Sequence, residues 1–212
     1  TTIINSLKMD TKDAVTIIDS LNEVQNNYRV SASSMLSALA EVGSTAKVAG
    51  ADIYELQGYI TAMTVATGKS GDEIGNSLRS ITSRIYKIGS EGIESEGKPE
   101  KMLQDMGVAV RDLNGEFRPL NEILSDLNVK WQSMNETQKI GTAQVVAGTH
   151  RYNDFISLMN NFEMAIDSSS TAMNSMGSAT KENEIYLQSI TGRMMSLKAT
   201  TESFWFSFIN SD

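Results

Sequence analysis

Cysteine is absent from this chain of 212 residues, which excludes disulfide frameworks, thiolate metal sites and cysteine nucleophiles. Histidine occurs once, as His150, so a multi-histidine metal centre is impossible. Only two prolines interrupt the backbone, and runs of β-branched residues in strict alternation are nearly missing, which favours helices over sheets. No apolar run approaches the roughly 18 residues needed to span a bilayer. The opening Thr1-Thr-Ile-Ile-Asn5 has neither the basic region nor the cleavage site of a signal peptide. Positive charge is scarce: 18 basic against 26 acidic residues leave a net charge of −8. That argues against a nucleic-acid binder whose affinity comes from neutralising phosphates.

What is present is ordinary for a folded protein. The chain is 40% hydrophobic and 21% charged, so wholesale disorder is not expected. A chain of this length can bury roughly 70% of the surface that its unfolded form exposes. It lacks an initiator methionine and closes on an aromatic stretch, Phe204-Trp-Phe-Ser-Phe208, edges expected of a segment cut from a longer polypeptide.

Start and stop signals divide the chain into helices. The first is expected from about Thr11 to Asn27, with Val15, Ile18, Leu21 and Val24 on one stripe. A second follows Ser31 with Met35, Leu39, Val42 and Ala46, and Gly50 is its natural stop. Asp52 and Glu55 have capping-box spacing ahead of Leu56, Ile60 and Met63, with Gly68 as terminator. Ser70 and Glu73 form a second such box, opening a helix with Ile74, Leu78, Ile81, Ile85 and Ile88 that Gly89 would end. The glycine-rich, acidic segment from Glu91 to Lys98 reads as an exposed loop, because its carboxylate spacing fits no EF-hand.

Pro99 suits the first position of a short helix through Met106, closed by Gly107. The period then changes. Val108 and Val110 alternate with their neighbours, Asn114-Gly115 is a strong hairpin signal, and Phe117 falls on the return strand. Pro119 opens a helix with Leu120, Ile123, Leu124 and Leu127 that runs towards Trp131. Asn135 and Gln138 cap the next, which ends near Gly148, and another carries Phe155, Leu158, Met159, Phe162 and Ile166. The stretch from Ser168 to Ser178 reads as a weak helix or a linker. The fold class expected is mainly α: a multi-helix domain over residues 1–178 with one small β-hairpin at about 108–118, then a long helix over 179–212.

Catalytic candidates are few. His150 has Asp154 one turn away, a pairing that could orient a base. No nucleophile elbow accompanies it, so a structural histidine is the better reading. No carboxylate sits in an apolar, aromatic context that would raise its pKa, so solvated helix faces are expected for the acids. No phosphate-binding or dinucleotide fingerprint is present. The 12 methionines are expected mostly in core gaps. No catalytic, metal or cofactor site is assigned, and no enzyme activity is expected.

Three motifs, in order, resemble a known family. Gly68-Lys-Ser-Gly-Asp-Glu-Ile-Gly-Asn-Ser-Leu-Arg-Ser-Ile81 resembles the helix-entry motif of phage tail tape measure proteins, in the core region found in long-tailed phages of Gram-positive hosts. Leu103-Gln-Asp-Met-Gly-Val-Ala-Val-Arg-Asp112 with Asn114-Gly-Glu-Phe-Arg-Pro-Leu120 is similar to that family's helix–glycine–hairpin unit, leading into Asn121-Glu-Ile-Leu-Ser-Asp-Leu127. Gln144-Val-Val-Ala-Gly-Thr-His-Arg-Tyr-Asn-Asp-Phe155 is similar to its glycine-centred helix junction. Two local departures are the long acidic loop at 91–98 and the displacement of the usual basic residue to Arg151.

The resemblance implies a structural virion protein in the tail, made in the host cytoplasm, that sets tail length and leaves the tube at DNA ejection. The partners implied are other copies of itself, tail tube and tail-tip proteins, and transiently the host envelope, with no specific nucleic-acid binding and no cofactor. Two rival readings are a helical peptidoglycan-degrading domain of the lysozyme-like class and a membrane-active domain inserting Phe204-Trp-Phe-Ser-Phe208 at an interface.

In the last segment Leu187, Ile190, Met194, Leu197, Thr201, Phe204 and Phe208 recur at heptad spacing. The stripe Leu187, Ile190, Met194, Leu197, Phe204 and Phe208 is the expected interaction surface, for a second copy or for tail proteins. Each such side chain is worth roughly 1.5–3 kcal/mol when buried. Changing Ile190 and Leu197 together to Asp is expected to abolish self-association in light scattering. A wild-type monomer with this stripe packed on its own helices would overturn the intermolecular reading.

Overall fold

A computed structural model of the chain describes residues 13–86 and 98–176. The chain divides into two compact units, Thr1–Met176 and Gly177–Asp212, and the described residues all belong to the first. Nine helices occur among them: α1 (Asp13–Asn27), α2 (Ala32–Val48), α3 (Ile53–Thr67), α4 (Gly71–Ile85), α5 (Lys98–Asp105), α6 (Leu120–Trp131), α7 (Glu136–Ala147), α8 (Tyr152–Asn160) and α9 (Phe162–Met173).

The helix starts follow local chemistry. Asp52 Oδ1 accepts from the Tyr54 amide at 2.7 Å while Glu55 reaches back to the Asp52 amide at 3.1 Å. Ser70 with Glu73 and Asn135 with Gln138 form the same reciprocal arrangement on α4 and α7, each satisfying amides that a helix N-terminus leaves without partners. The Ser70 hydroxyl and amide hydrogen bonds hold the Glu73 carboxyl below its usual range. Gly68 ends α3 in the left-handed conformation expected of it.

Helix α3 is the centre of the fold. It packs against α1, α2, α4, α8 and α9. Its run from Leu56 to Met63 is buried at every residue, as an all-round interior helix must be. Two pairs come especially close. A Cβ on Gly58 would strike the Ala165 carbonyl oxygen of α9, and one on Gly71 would strike the Ser34 carbonyl oxygen of α2. At Gly75 a Cβ would lie 2.5 Å from the Ala38 carbonyl oxygen. Glycine lets these backbones meet.

Three expectations require correction. Val15 and Ile18 of α1 are exposed, at 64% and 56%, while Ile17, Leu21 and Val24 are buried. The buried face is set by Ser20, whose hydroxyl accepts from Gln57 Nε2 of α3 at 2.8 Å, so α1 turns its other isoleucine inward. Next, the run from Phe155 to Ile166 is two helices rather than one. Asn161 adopts φ −115° between them, and its side-chain amide donates to the Ser157 carbonyl at 2.8 Å. The phase shifts at this break, leaving Ile166 55% exposed; α9 then continues as a helix into the serine-rich stretch, to Met173.

The third correction concerns the hairpin. No paired strands occur among the described residues at 108–118; one isolated antiparallel bridge joins Arg111 and Phe117. Two backbone hydrogen bonds flank that bridge, from the Asp112 amide to the Glu116 carbonyl at 2.8 Å and from the Arg118 amide to the Val110 carbonyl at 3.0 Å, and side chains take the groups on either side, so the pairing goes no further. Asp112 Oδ1 accepts from the amides of Asn114 and Glu116, at 2.9 Å each. The Arg111 guanidinium donates to the Gly115 carbonyl and that of Arg118 to the Ala109 carbonyl, both at 2.8 Å. The chain does reverse at Asn114-Gly115, where Gly115 has φ 84°, and Val108 and Val110 are buried. Tyr86 anchors the reversal: its hydroxyl donates to the Arg118 carbonyl at 2.7 Å and its ring tilts onto Phe117 at 5.1 Å. Burial pushes the Tyr86 phenol well above its ordinary range.

Ile88, Gly89, the acidic segment at 91–97 and the whole stretch expected to form the heptad helix, with Leu187, Ile190, Met194, Leu197, Phe204 and Phe208, lie outside the described residues.

Replacing Gly75 with Ala is expected to cost about 1–3 kcal/mol in urea unfolding, because the added methyl must push α2 and α4 apart. Gly141→Ala in α7, where a Cβ meets nothing within 4 Å, is expected to stabilise by about 0.5–1 kcal/mol. Equal effects at both positions would refute close α2–α4 packing.

Candidate functional site

The most demanding polar group in the described body is Asp154, in the first turn of α8. Its side chain is 1% exposed, and a buried carboxylate needs both a counter-charge and donors. Lys69 supplies the charge from the short α3–α4 connection, with Nζ at 2.5 Å from Oδ1. Ser77 on α4 lies with its hydroxyl 2.6 Å from Oδ2 and 2.9 Å from the Glu73 carbonyl. Both carboxylate oxygens are therefore met, and the start of α8 is fastened to α4 and to the α3–α4 connection. This is an arrangement that holds rather than reacts.

The His150–Asp154 pairing that the spacing allows, and that ranks below a structural histidine, does not form. His150 is exposed in the turn before α8, and the hydrogen bonds of Asp154 go to Lys69 and Ser77. The turn itself depends on Gly148, whose φ 81° and ψ 164° lie in a region open essentially to glycine alone. Beside it, Arg84 of α4 donates to the Val145 carbonyl at 3.0 Å, tying α4 to the last turn of α7.

The helix-entry motif at 68–81 and the junction motif at 144–155 thus form one contact region. The middle motif joins the same body separately. Leu120 donates its amide to the Ala49 carbonyl at 3.2 Å, and Arg111 Nε donates to Glu100 at 2.7 Å while stacking 3.8 Å above the Phe117 ring.

Lys69 and Ser77 were not singled out by sequence reasoning. Both lie within the helix-entry motif, but no local pattern marks a partner 85 or 77 residues away. Several acids depart from the expectation of solvated faces: Asp19 and Glu100 are buried like Asp154, and Glu55 is half-buried. Burial raises the Glu55 pKa, with the Asp52 amide bond opposing. Glu55 borders a groove of about 340 Å³ with Tyr59, Phe162, Ile166 and Met173. The methionines divide: Met35, Met63 and Met159 fill the core, whereas Met102, Met106 and Met134 line a surface groove of about 400 Å³. Among the described residues no group of three or more His, Asp or Glu side chains is placed to hold a metal ion. None of the described helices is long and apolar enough to cross a membrane.

Residues 1–148 match the model of a protein family described as phage-related minor tail protein. The chain belongs to that family. The matched region holds α1 to α7 and includes Lys69 and Ser77, while Asp154 lies just beyond it. No solved structure matches the chain. Membership gives a phage tail protein built on the helical body described above.

Lys69→Met strands a buried carboxylate and is expected to destabilise by about 3 kcal/mol, the lower end for a broken pair because Lys69 is 34% exposed. The double variant Lys69→Met/Asp154→Leu is expected to recover more than half of that loss in urea unfolding. A loss in the double variant equal to the sum of the two single losses would show that the pair is not coupled.

Proposed function

We propose that the chain is part of a tail tape measure protein, which sets tail length during assembly and leaves the tube at DNA ejection. Membership of the phage minor tail family supports a tail role. The observation that carries the finer reading is the junction of Lys69 and Ser77 with Asp154, since it brings together two of the three motifs that resemble the tape measure core. Residues scattered along the chain at those motifs thereby serve one packed unit, as a shared fold requires.

The mechanism is geometric. A helix rises about 1.5 Å per residue, so a helical chain extended along a tube converts residue number into length. The longest described helix, α2, has 17 residues and would span about 25 Å. In this reading the measuring helices belong to the full-length chain, and the body described here is one of its folded parts. The partners proposed are other copies of the chain and the tube and tip proteins. A net charge of −8 repels DNA rather than retaining it, which suits release at ejection.

An in-frame deletion of about 100 residues from helical stretches of the full-length chain is expected to shorten the tail by about 150 Å in electron micrographs. Tails of unchanged length would overturn the tape measure reading and leave only the tail assignment.

The peptidoglycan-degrading alternative makes a separate demand. It needs an acid of raised pKa at a groove, and Glu55 is the described residue nearest to that requirement. Its carboxylate is already the reciprocal member of the α3 cap, so no peptidoglycan turnover is expected. Turnover that vanished in Glu55→Gln would promote the enzyme reading.

A further inference from the structure

A concave cleft of about 530 Å³ separates α4 from the turn joining α7 to α8. Three of the chain's seven arginines, Arg79, Arg84 and Arg151, line it together with His150, and no carboxylate does. In a chain with eight more acids than bases, this is a local reversal of charge.

The three guanidinium groups are unequally committed. Arg79 holds Glu41 at 3.1 Å. Arg84 makes one bond, to the Val145 carbonyl, and its Cζ lies 3.5 Å from where a Cβ on Gly148 would stand. A guanidinium carries five N–H donors, so most of those on Arg84 are uncommitted to carboxylates of the described residues. No carboxylate of the described residues lies within ion-pair distance of Arg84 or Arg151, although the Arg151 charge acts at longer range on Glu73, whose carboxyl already caps Ser70. Gly148 is therefore doubly constrained: its backbone conformation excludes side chains, and its bareness keeps the Arg84 guanidinium open on that side.

Planar guanidinium forks recognise carboxylate and phosphate oxygens in pairs. We propose that this cleft receives a carboxylate-bearing segment of a partner tail protein. The volume suits several side chains rather than one inorganic anion, since a water molecule takes only about 30 Å³. Duplex DNA fits poorly, because it needs an extended run of cations against many phosphates and meets a net charge of −8. A short acidic segment needs only the guanidinium forks of Arg84 and Arg151, neither of which is closed by an ion pair among the described residues, and its binding depends strongly on salt. The inference stands whether or not the chain sets tail length.

The test is fluorescence anisotropy of a labelled hexaglutamate peptide titrated with the 212-residue chain. Saturable binding is expected, weakened about tenfold or more in Arg84→Gln/Arg151→Gln and little changed in Lys98→Gln/Lys101→Gln, which removes the same charge from α5. Ser83→Glu, which places a carboxylate in the cleft and keeps both arginines, is expected to weaken binding as well, guarding against misfolding of the double variant. No peptide binding, equal losses in the two double variants, or displacement of the peptide by inorganic phosphate or a short DNA duplex at lower concentration would each overturn the proposal.

Discussion

From Leu56 to Met63 every residue of α3 is buried, and this sets the terms for its neighbours. A helix without a solvent face must be enclosed on all sides, and α1, α2, α4, α8 and α9 supply the enclosure. Close enclosure demands small residues at the contacts, hence Gly58 against the α9 backbone. It also brings polar atoms inside. Gln57 satisfies its amide nitrogen on Ser20, while Gln57 Oε1, Thr61 Oγ1 and Ser168 Oγ have no protein partner. Such atoms weaken the seam in which they lie, because their desolvation is not compensated by a hydrogen bond.

Charge is used differently in the two parts of the body. Around α8 a single buried carboxylate draws together Lys69 and Ser77 from one helical junction. Around the reversal at Asn114-Gly115 the arginines dominate, with Arg111 on Glu100 and Phe117 and Arg118 on Glu122 and Asp126. Neither region needs a sheet. Helix ends and a loop with satisfied carbonyls suffice to hold the elements in place.

Much of this was legible in the sequence, wherever the determining interaction is local. The capping boxes at Asp52, Ser70 and Asn135 and the stop at Gly68 are contacts within a few residues, and they stand as read. The orientation of α1 was not legible, because Ile17 and Ile18 are adjacent and either could face inward; Gln57, far along the chain, decides it through Ser20. The hairpin was over-read for a related reason. Alternation and an Asn-Gly turn are common to a strand pair and to a loop; here the backbone pairs across a single bridge, and Asp112 and the arginines take the groups that a longer ladder would need. Spacing allowed Asp154 a pair with His150, but Lys69 of the α3–α4 connection and Ser77 of α4, both distant in sequence, take the carboxylate.

The order in which this body yields to tension is written into its connectivity. Helices α1 and α9 open and close the described body, touch one another and both lie on α3. A pull applied at the two ends therefore loads α1 and α9 before it reaches the α2–α4 contact, which is threaded inside them. The outer pair is also the seam near Ser20, Gln57 and Ser168, where buried polar atoms lack full satisfaction. The glycine-packed inner pair is shielded until the outer pair has peeled away. A chain drawn out by its ends would thus come apart as a sequence of steps rather than in a single rupture.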